Sequence, residues 1–204
     1  MSTRTLKVVT VSGSLQEPSK TVALTEQIVE TLATRLPVEN HRIDIHKLGA
    51  GFTGARHPDD LPESVLDEMR LLAEADLVIA ASPVFRASYT GLFKHFFDLI
   101  ENQYALANKL VLLAATGGSD RHALVLEHQF RPLFGFFQAL TVPVALYASS
   151  GDFDGMQILN PEVHARIEVA VDDIAELLRA RVGGTATEPA PAGDSGPYEG
   201  VTRV

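Results

Sequence analysis

The chain has 204 residues, 46% of them hydrophobic and 21% charged, the composition of one globular domain with a substantial core rather than of a disordered or fibrous chain. Its formal charge of −9 repels a polyanion, and no Lys/Arg cluster forms a basic stripe, which argues against nucleic acid as a partner. Cysteine is absent, which excludes disulfides, a thiolate nucleophile and an iron–sulfur cluster; the longest apolar run, Leu110 to Ala115, is far short of the roughly 20 residues of a membrane span, and Met1 to Lys7 lacks an apolar signal core, so a cytoplasmic protein without membrane association is expected.

Leu6 to Val11 is a β-branched apolar run that predicts a strand; Ser12-Gly13-Ser14 turns the chain, and a helical pattern follows from Ser19 to Leu36. Ile43 and Ile45 alternate with polar residues in an edge strand from His41 to His46, after which a Gly-rich loop is expected from Gly49 to Asp60. Leu61 to Ala75 reads as a helix with Leu66, Met69, Leu72 and Ala73 on one face, followed by a buried strand from Asp76 to Ala81. Gly91 to Asn102 carries Leu92, Phe96, Leu99 and Ile100 at helical spacing, and Lys109 to Ala115 is a fully apolar strand broken by Thr116-Gly117-Gly118-Ser119. One helix from His122 to Leu140, a fifth strand from Val142 to Tyr147 and an amphipathic helix from Pro161 to Arg181 complete the pattern.

Strands and helices alternate throughout, so parallel strands joined by right-handed crossovers are expected. The fold class is α/β: a flavodoxin-like three-layer sandwich with a five-stranded parallel sheet in the order 2-1-3-4-5, with a decorated Rossmann half as the alternative. This domain spans residues 1–182. Residues 183–204, rich in Gly, Pro, Ala and small polar residues, are expected to form a flexible or extended tail.

Three unusual segments, Ser12 to Thr21, Ser82 to Gly91 and Thr116 to His122, each follow the C-terminal end of a predicted strand, the rim where open α/β sheets bind ligands. In the first, Gly13 permits a tight turn while Ser14, Ser19 and Thr21 surround the N–H groups that begin the next helix, a nest suited to a phosphate dianion; Ser19 serves equally as a simple helix N-cap. The segment is neither a P-loop nor a Gly-x-Gly-x-x-Gly fingerprint, which favours the phosphate of a mononucleotide. In the second, Pro83 fixes the chain and Val84, Phe85 and Arg86 offer amides and an aromatic edge to a flat ring, or Phe85 is buried and Arg86 merely solvated. In the third, Thr116-Gly117-Gly118 is a turn, or bare backbone that hydrogen-bonds a pyrimidine-like edge. The histidines are scattered: His122 and His128, six apart, do not share a helical face for a metal, and no metal site is expected.

The segments VSGSLQEPSKT, SPVFRASYTGLFKHFFD and ATGGS resemble the three signature segments of the NAD(P)H-dependent FMN reductase family, particularly the reductases of two-component flavin monooxygenase systems such as alkanesulfonate monooxygenase. The similarity runs over about residues 6–180. It implies a flavodoxin-like fold in which Ser12, Gly13, Ser14, Ser19 and Thr21 form the loop for the FMN phosphate, Pro83, Val84, Phe85 and Arg86 border the flavin, and Thr116, Gly117 and Gly118 face its polar edge. Many relatives have arginine where Gln16 stands, which shifts the phosphate's cationic partner to Lys20. The implied activity is hydride transfer from NADPH or NADH to FMN, with reduced FMN passed to a partner monooxygenase; because the hydride moves directly to the flavin, no proton-transferring catalytic residue is named. The alternatives are an FMN-bound quinone or azo reductase and a flavodoxin-type electron carrier.

Two expectations concern assembly. Phe93, Phe96, Phe97, Phe130, Phe134, Phe136 and Phe137 exceed one core-facing stripe, which predicts a homodimer or homotetramer with some of them between subunits. Tyr89, where an extra residue is accommodated at a helix start, is expected as the displaced residue of a π-bulge, stacked across a subunit contact near the flavin, or else as a buried tyrosine with its hydroxyl satisfied locally.

Overall fold

The computed structural model describes residues 4–183. Strand β1, Leu6–Ser12, is buried on both sides except at Lys7. Helix α1, Lys20–Ala33, begins where the Ser19 hydroxyl accepts the Val22 amide at 3.3 Å, and it buries Val22, Leu24, Ile28 and Leu32 along one face. Strand β2, Val38–Asp44, is the half-exposed edge, starting three residues earlier than its alternation suggests. The expected Gly-rich loop contains a short helix α2, Gly49–Gly54, anchored by fully buried Phe52, and a helical turn at Pro58–Asp60.

Helix α3, Glu63–Glu74, buries Val65 and Leu72 and packs Leu66 and Met69 against the same core, as expected, whereas Ala73 is exposed. It is followed by β3, Leu77–Pro83, and by α4, Gly91–Asp98, capped by the Thr90 hydroxyl on the Phe93 amide. Strand β4, Leu110–Gly117, lies inside the sheet between β3 and the strand pieces that follow it. The single helix expected from His122 to Leu140 is broken into a 3-10 turn at Asp120–His122, a π-helical segment at Leu126–Phe130 and α5, Arg131–Phe136. Pro132, with no N–H to give, sits in the first turn of α5 and marks the new start.

The fifth strand is likewise in two pieces, β5 at Leu140–Thr141 and β6 at Leu146–Ser149, both parallel to β4. Pro143 between them cannot extend the ladder. A hairpin of β7, Phe153–Asp154, and β8, Gln157–Ile158, precedes the long final helix α6, Pro161–Gly183. The parallel sheet runs β2-β1-β3-β4-β5, with β6 extending the β5 edge along β4, the flavodoxin-like order. Strand residues alternate between two cores: Leu77 and Ile79 face α1 and α6, while Val78 and Ala80 face α2 to α5. The expected tail lies outside the described residues except for Gly183, which ends α6.

One sequence expectation is narrowed here and another fails. Six of those seven phenylalanines are buried within the single chain; Phe136 alone, 65% exposed, is left for another surface. The rings fit because they tilt edge against face, as in the Phe97–Phe134 pair at 5.0 Å, rather than lining one stripe. The π-helical segment is not at Tyr89 either. Tyr89 lies in the bend before α4, and its ring packs on Phe93 and Phe130, at 5.5 and 5.3 Å. The π-helical segment lies instead at Leu126–Phe130, beyond β4.

Candidate functional site

The strand registers bring four chain segments to one rim. Ser12 pairs with Ala81, Pro83 with Thr116, and Gly117 with Ser149, so β1, β3, β4 and β6 end side by side. The loops leaving them are tied together. The Gly13 amide donates to the Ala81 carbonyl at 2.7 Å, the Thr90 hydroxyl donates to the Gly13 carbonyl at 2.8 Å, and the Thr90 amide donates to the Ser82 hydroxyl at 3.1 Å. A Cβ on Gly13 would stand 2.8 Å from both Phe93 Cδ2 and Ser82 Oγ, so this close approach of backbone to the second loop requires glycine. The third loop joins through two bonds: Val84 N–H to the Thr116 carbonyl at 2.7 Å, and the buried Thr21 and Thr116 hydroxyls with each other at 2.6 Å.

Between the loops lies a cleft of about 570 Å³ lined by Ser14, Leu15, Gln16, Pro18, Ser19, Lys20, Thr21, Pro83, Phe85, Thr116 and Met156. Its floor at the start of α1 is polar. The Ser14 hydroxyl donates to the Gln16 carbonyl at 2.9 Å, the Ser19 hydroxyl caps the helix, and among the described residues the Lys20 and Thr21 amides of the first turn have no chain acceptor. Its rim is apolar: Leu15, Phe85 and Met156 are 44%, 50% and 40% exposed, large side chains held in solvent around a polar base. Lys20 is the cation lining the cleft; its ammonium donates to the Ser150 carbonyl at 3.0 Å and lies 5.4 Å from the centre of the Phe153 ring.

Two ionisable groups stiffen the rim. Burial, reinforced by the charges of Asp120 and Asp152, pushes the Tyr147 phenol up, so it stays protonated and donates to the Ser119 carbonyl at 2.6 Å. There it lies where a Cβ on Gly117 would be, which explains glycine at that position. Burial alone would raise Asp152, but hydrogen bonds from the Asn160 amide and from the Ser149 amide and hydroxyl outweigh it and hold the carboxyl low. Asp152 thereby anchors the hairpin that carries Met156.

Of the residues singled out from the sequence, Ser14, Ser19, Lys20, Thr21, Pro83, Phe85 and Thr116 line the cleft. Ser12 and Gly13 are buried beneath it, Val84 packs into the core on the α4 side, and Arg86 is exposed on a turn. Gly117 is braced by Tyr147, whereas Gly118 has open space around it. Sequence reasoning missed Leu15, Pro18 and Met156 as lining residues. The rule that found the first three loops, attention to the segment leaving each strand end, applies equally to Ser150–Gly155 after the last strand and would have led to Met156.

The donor set fits FMN. Hydroxyls, free amides and one ammonium at a helix start suit a phosphate, and the exposed Phe85, Leu15 and Met156 side chains suit the faces of a flat ring.

Residues 6–154 match the family described as NADPH-dependent FMN reductase. The chain is 47% identical over 174 residues to "NADH-dependent FMN reductase SfnF" of Pseudomonas fluorescens, covering 85% of this chain and 92% of that protein. It is 48% identical over 183 residues to "FMN reductase (NADPH)" of Pseudomonas aeruginosa, covering 88% and 96%. Among solved structures, an NADH:FMN oxidoreductase in its apo form superposes with a TM-score of 0.76 at 28% identity, covering 91% of this chain and 92% of that one.

Proposed function

This chain belongs to the NADPH-dependent FMN reductase family, and on that premise we propose that it is an NAD(P)H:FMN oxidoreductase whose flavin site is the cleft between the β1, β3 and β4 loops. The observation that carries this reading is the pairing, in one cleft at the sheet's switch point, of a polar helix start with three exposed apolar side chains. FMN, when bound, supplies the acceptor for the nicotinamide hydride.

The chain's own residues bind and orient. The Lys20 and Thr21 amides, which among the described residues have no chain acceptor, would hold the phosphate together with the Ser14, Ser19 and Thr21 hydroxyls, and Lys20 would offset part of its charge. Phe85 and Met156 bracket the ring from the second loop and the β7–β8 hairpin, while Gly118 leaves backbone open to its polar edge. Because α1 contributes one lysine and no arginine, electrostatic hold on the phosphate is modest and the flavin exchanges readily. That supports delivery of reduced FMN to a separate monooxygenase over permanent retention for quinones or azo compounds.

The same reading places the protein in the cytoplasm as one domain with a C-terminal tail from residue 183. It assembles as a homodimer or homotetramer, with exposed Phe136 and Leu124, 65% and 64% exposed, at the contact. Steady-state oxidation of NADH and of NADPH, each with and without added FMN, tests the activity. Turnover that requires FMN is expected; none with either nucleotide at saturating FMN would refute it.

A further inference from the structure

Phe85 and Ser88 exchange backbone hydrogen bonds at 2.8 and 3.1 Å, closing a two-residue hairpin at the rim of the flavin cleft. Its central residues, Arg86 and Ala87, have φ of 50° and 66°. This is the left-handed pair of a type I′ turn, where Asn-Gly is usual and other side chains are strained. Such strain persists where the surroundings impose it, characteristically beside ligands. On the near side, Phe85 lines the cleft; on the far side, Ala87 lines a second, smaller cavity of about 150 Å³. Two residues of chain span at most about 7 Å, so the two cavities share this hairpin as a thin wall.

The far cavity has an apolar side, Ala87, Leu124 and Val125, and a polar one. Arg121, His122 and His128 line it with Gln129, and among the described residues no carboxylate does. Gln129 accepts the Ser88 hydroxyl through its carbonyl oxygen at 3.3 Å, fastening the hairpin to the π-helical segment and leaving its NH2 group free to donate. In a chain of net charge −9, Arg4, Arg35, Arg42, Arg70 and Arg131 are all paired with carboxylates. Among the described residues Arg121 is not, nor are Arg56, Arg86, Arg166, Arg179 and Arg181; of these, Arg121 is the one that lines the cavity. An unpaired guanidinium and two imidazoles around a hollow with room for about five waters at bulk density constitute an anion site, distinct from the α1 start that serves the flavin.

From this we infer that the cavity walled by Arg121, His122 and His128 receives a phosphate of the nicotinamide dinucleotide while its nicotinamide lies in the neighbouring cleft. The inference rests on the cleft being the flavin site. A dinucleotide that stacks its ring beside Phe85 must carry its pyrophosphate, and in NADPH the adenosine 2′-phosphate, away from the α1 end. The hairpin is the short way out, and the Arg121 guanidinium stands beyond it with the His122 and His128 rings.

The test is Arg121→Gln, with NADH and NADPH kinetics measured at saturating FMN and the FMN dissociation constant measured separately. Loss of one charge-assisted contact raises KM about tenfold, with kcat and FMN affinity unchanged; Arg121→Lys recovers part of the loss. An equal rise for both nucleotides assigns the cavity to the pyrophosphate, and a rise for NADPH alone assigns it to the 2′-phosphate. Unchanged KM for both overturns the inference. Calorimetric binding of NADP+ to wild-type and Arg121→Gln protein answers the same question independently of turnover. If wild-type protein shows no FMN-dependent oxidation yet binds NADP+ through Arg121, the functional reading fails and the anion site stands; equal binding by both proteins removes the site whatever the activity.

Discussion

The face of the sheet covered by α1 and α6 is aliphatic and regular: Leu24, Ile28 and Leu32 from one helix and Ile167, Val171 and Ile174 from the other close over Leu77, Ile79 and Leu112, with no fully buried aromatic ring among the described residues. The opposite face packs Phe52, Phe93, Phe96, Phe97, Phe130 and Phe134 beneath the short helices α2, α4 and α5 and a π-helical turn. Small branched side chains interdigitate with a straight helix of any length, whereas rings that must meet edge to face constrain the backbone that carries them. The regular face supplies the polar end of the cleft through the start of α1. The irregular face supplies the hairpin partner Gln129 and the second cavity, where geometry departs from helical spacing.

Truncation should therefore be costliest on the aromatic face. Phe97 is 1% exposed and contacts four other rings, so Phe97→Ala should lose about 3–5 kcal/mol in denaturant unfolding, more than the matched truncation Ile28→Ala on the other face, where about 2–3 kcal/mol is expected. Comparable losses would erase the distinction between the faces. Gly13→Ala forces a methyl against Phe93 and Ser82, where the polar loop meets the aromatic core. It should cost about 1–3 kcal/mol and weaken FMN binding in parallel; lost stability with FMN affinity intact would separate the loop from the site.

The two faces also differ in how they were legible. Leu77 to Ala81 reads correctly because a strand buried on both sides must be continuously apolar, and Ser19 reads correctly as a helix start because a hydroxyl there answers an orphan amide. On the aromatic face, Phe130, Phe134 and Phe137 keep helical spacing across the break, so periodicity alone joined three elements into one. Pro132 and Pro143, which carry no N–H, were the signals that the helix restarted and the strand was interrupted. Seven of the residues named from sequence line the cleft, yet Met156 did not stand out, since the hairpin that brings it there is set by Asp152 accepting bonds from Ser149 and Asn160.

That carboxylate has a pH signature. Its folded value lies below the ordinary 3.8, so its stabilising contribution is present in full above the unfolded value and is lost as pH falls through the folded one. Asp152→Asn should be less stable than wild type at neutral pH, and the gap should close only below about pH 4; a gap unchanged at acid pH would mean the carboxylate's charge is not what holds the hairpin. The smallest expected effect is Ala87→Gly, which relieves a left-handed alanine and should stabilise by up to about 1 kcal/mol. Destabilisation instead would show that the turn is not strained.

The central claim is that the start of α1 holds the phosphate of a flavin, and the most direct measurement compares FMN with riboflavin by quenching of flavin fluorescence, in wild-type protein and in Lys20→Ala. FMN should bind wild-type protein at least tenfold more tightly than riboflavin, about 1.4 kcal/mol, and the substitution should narrow that difference while leaving riboflavin unaffected. Equal affinity of wild-type protein for the two flavins would contradict the account.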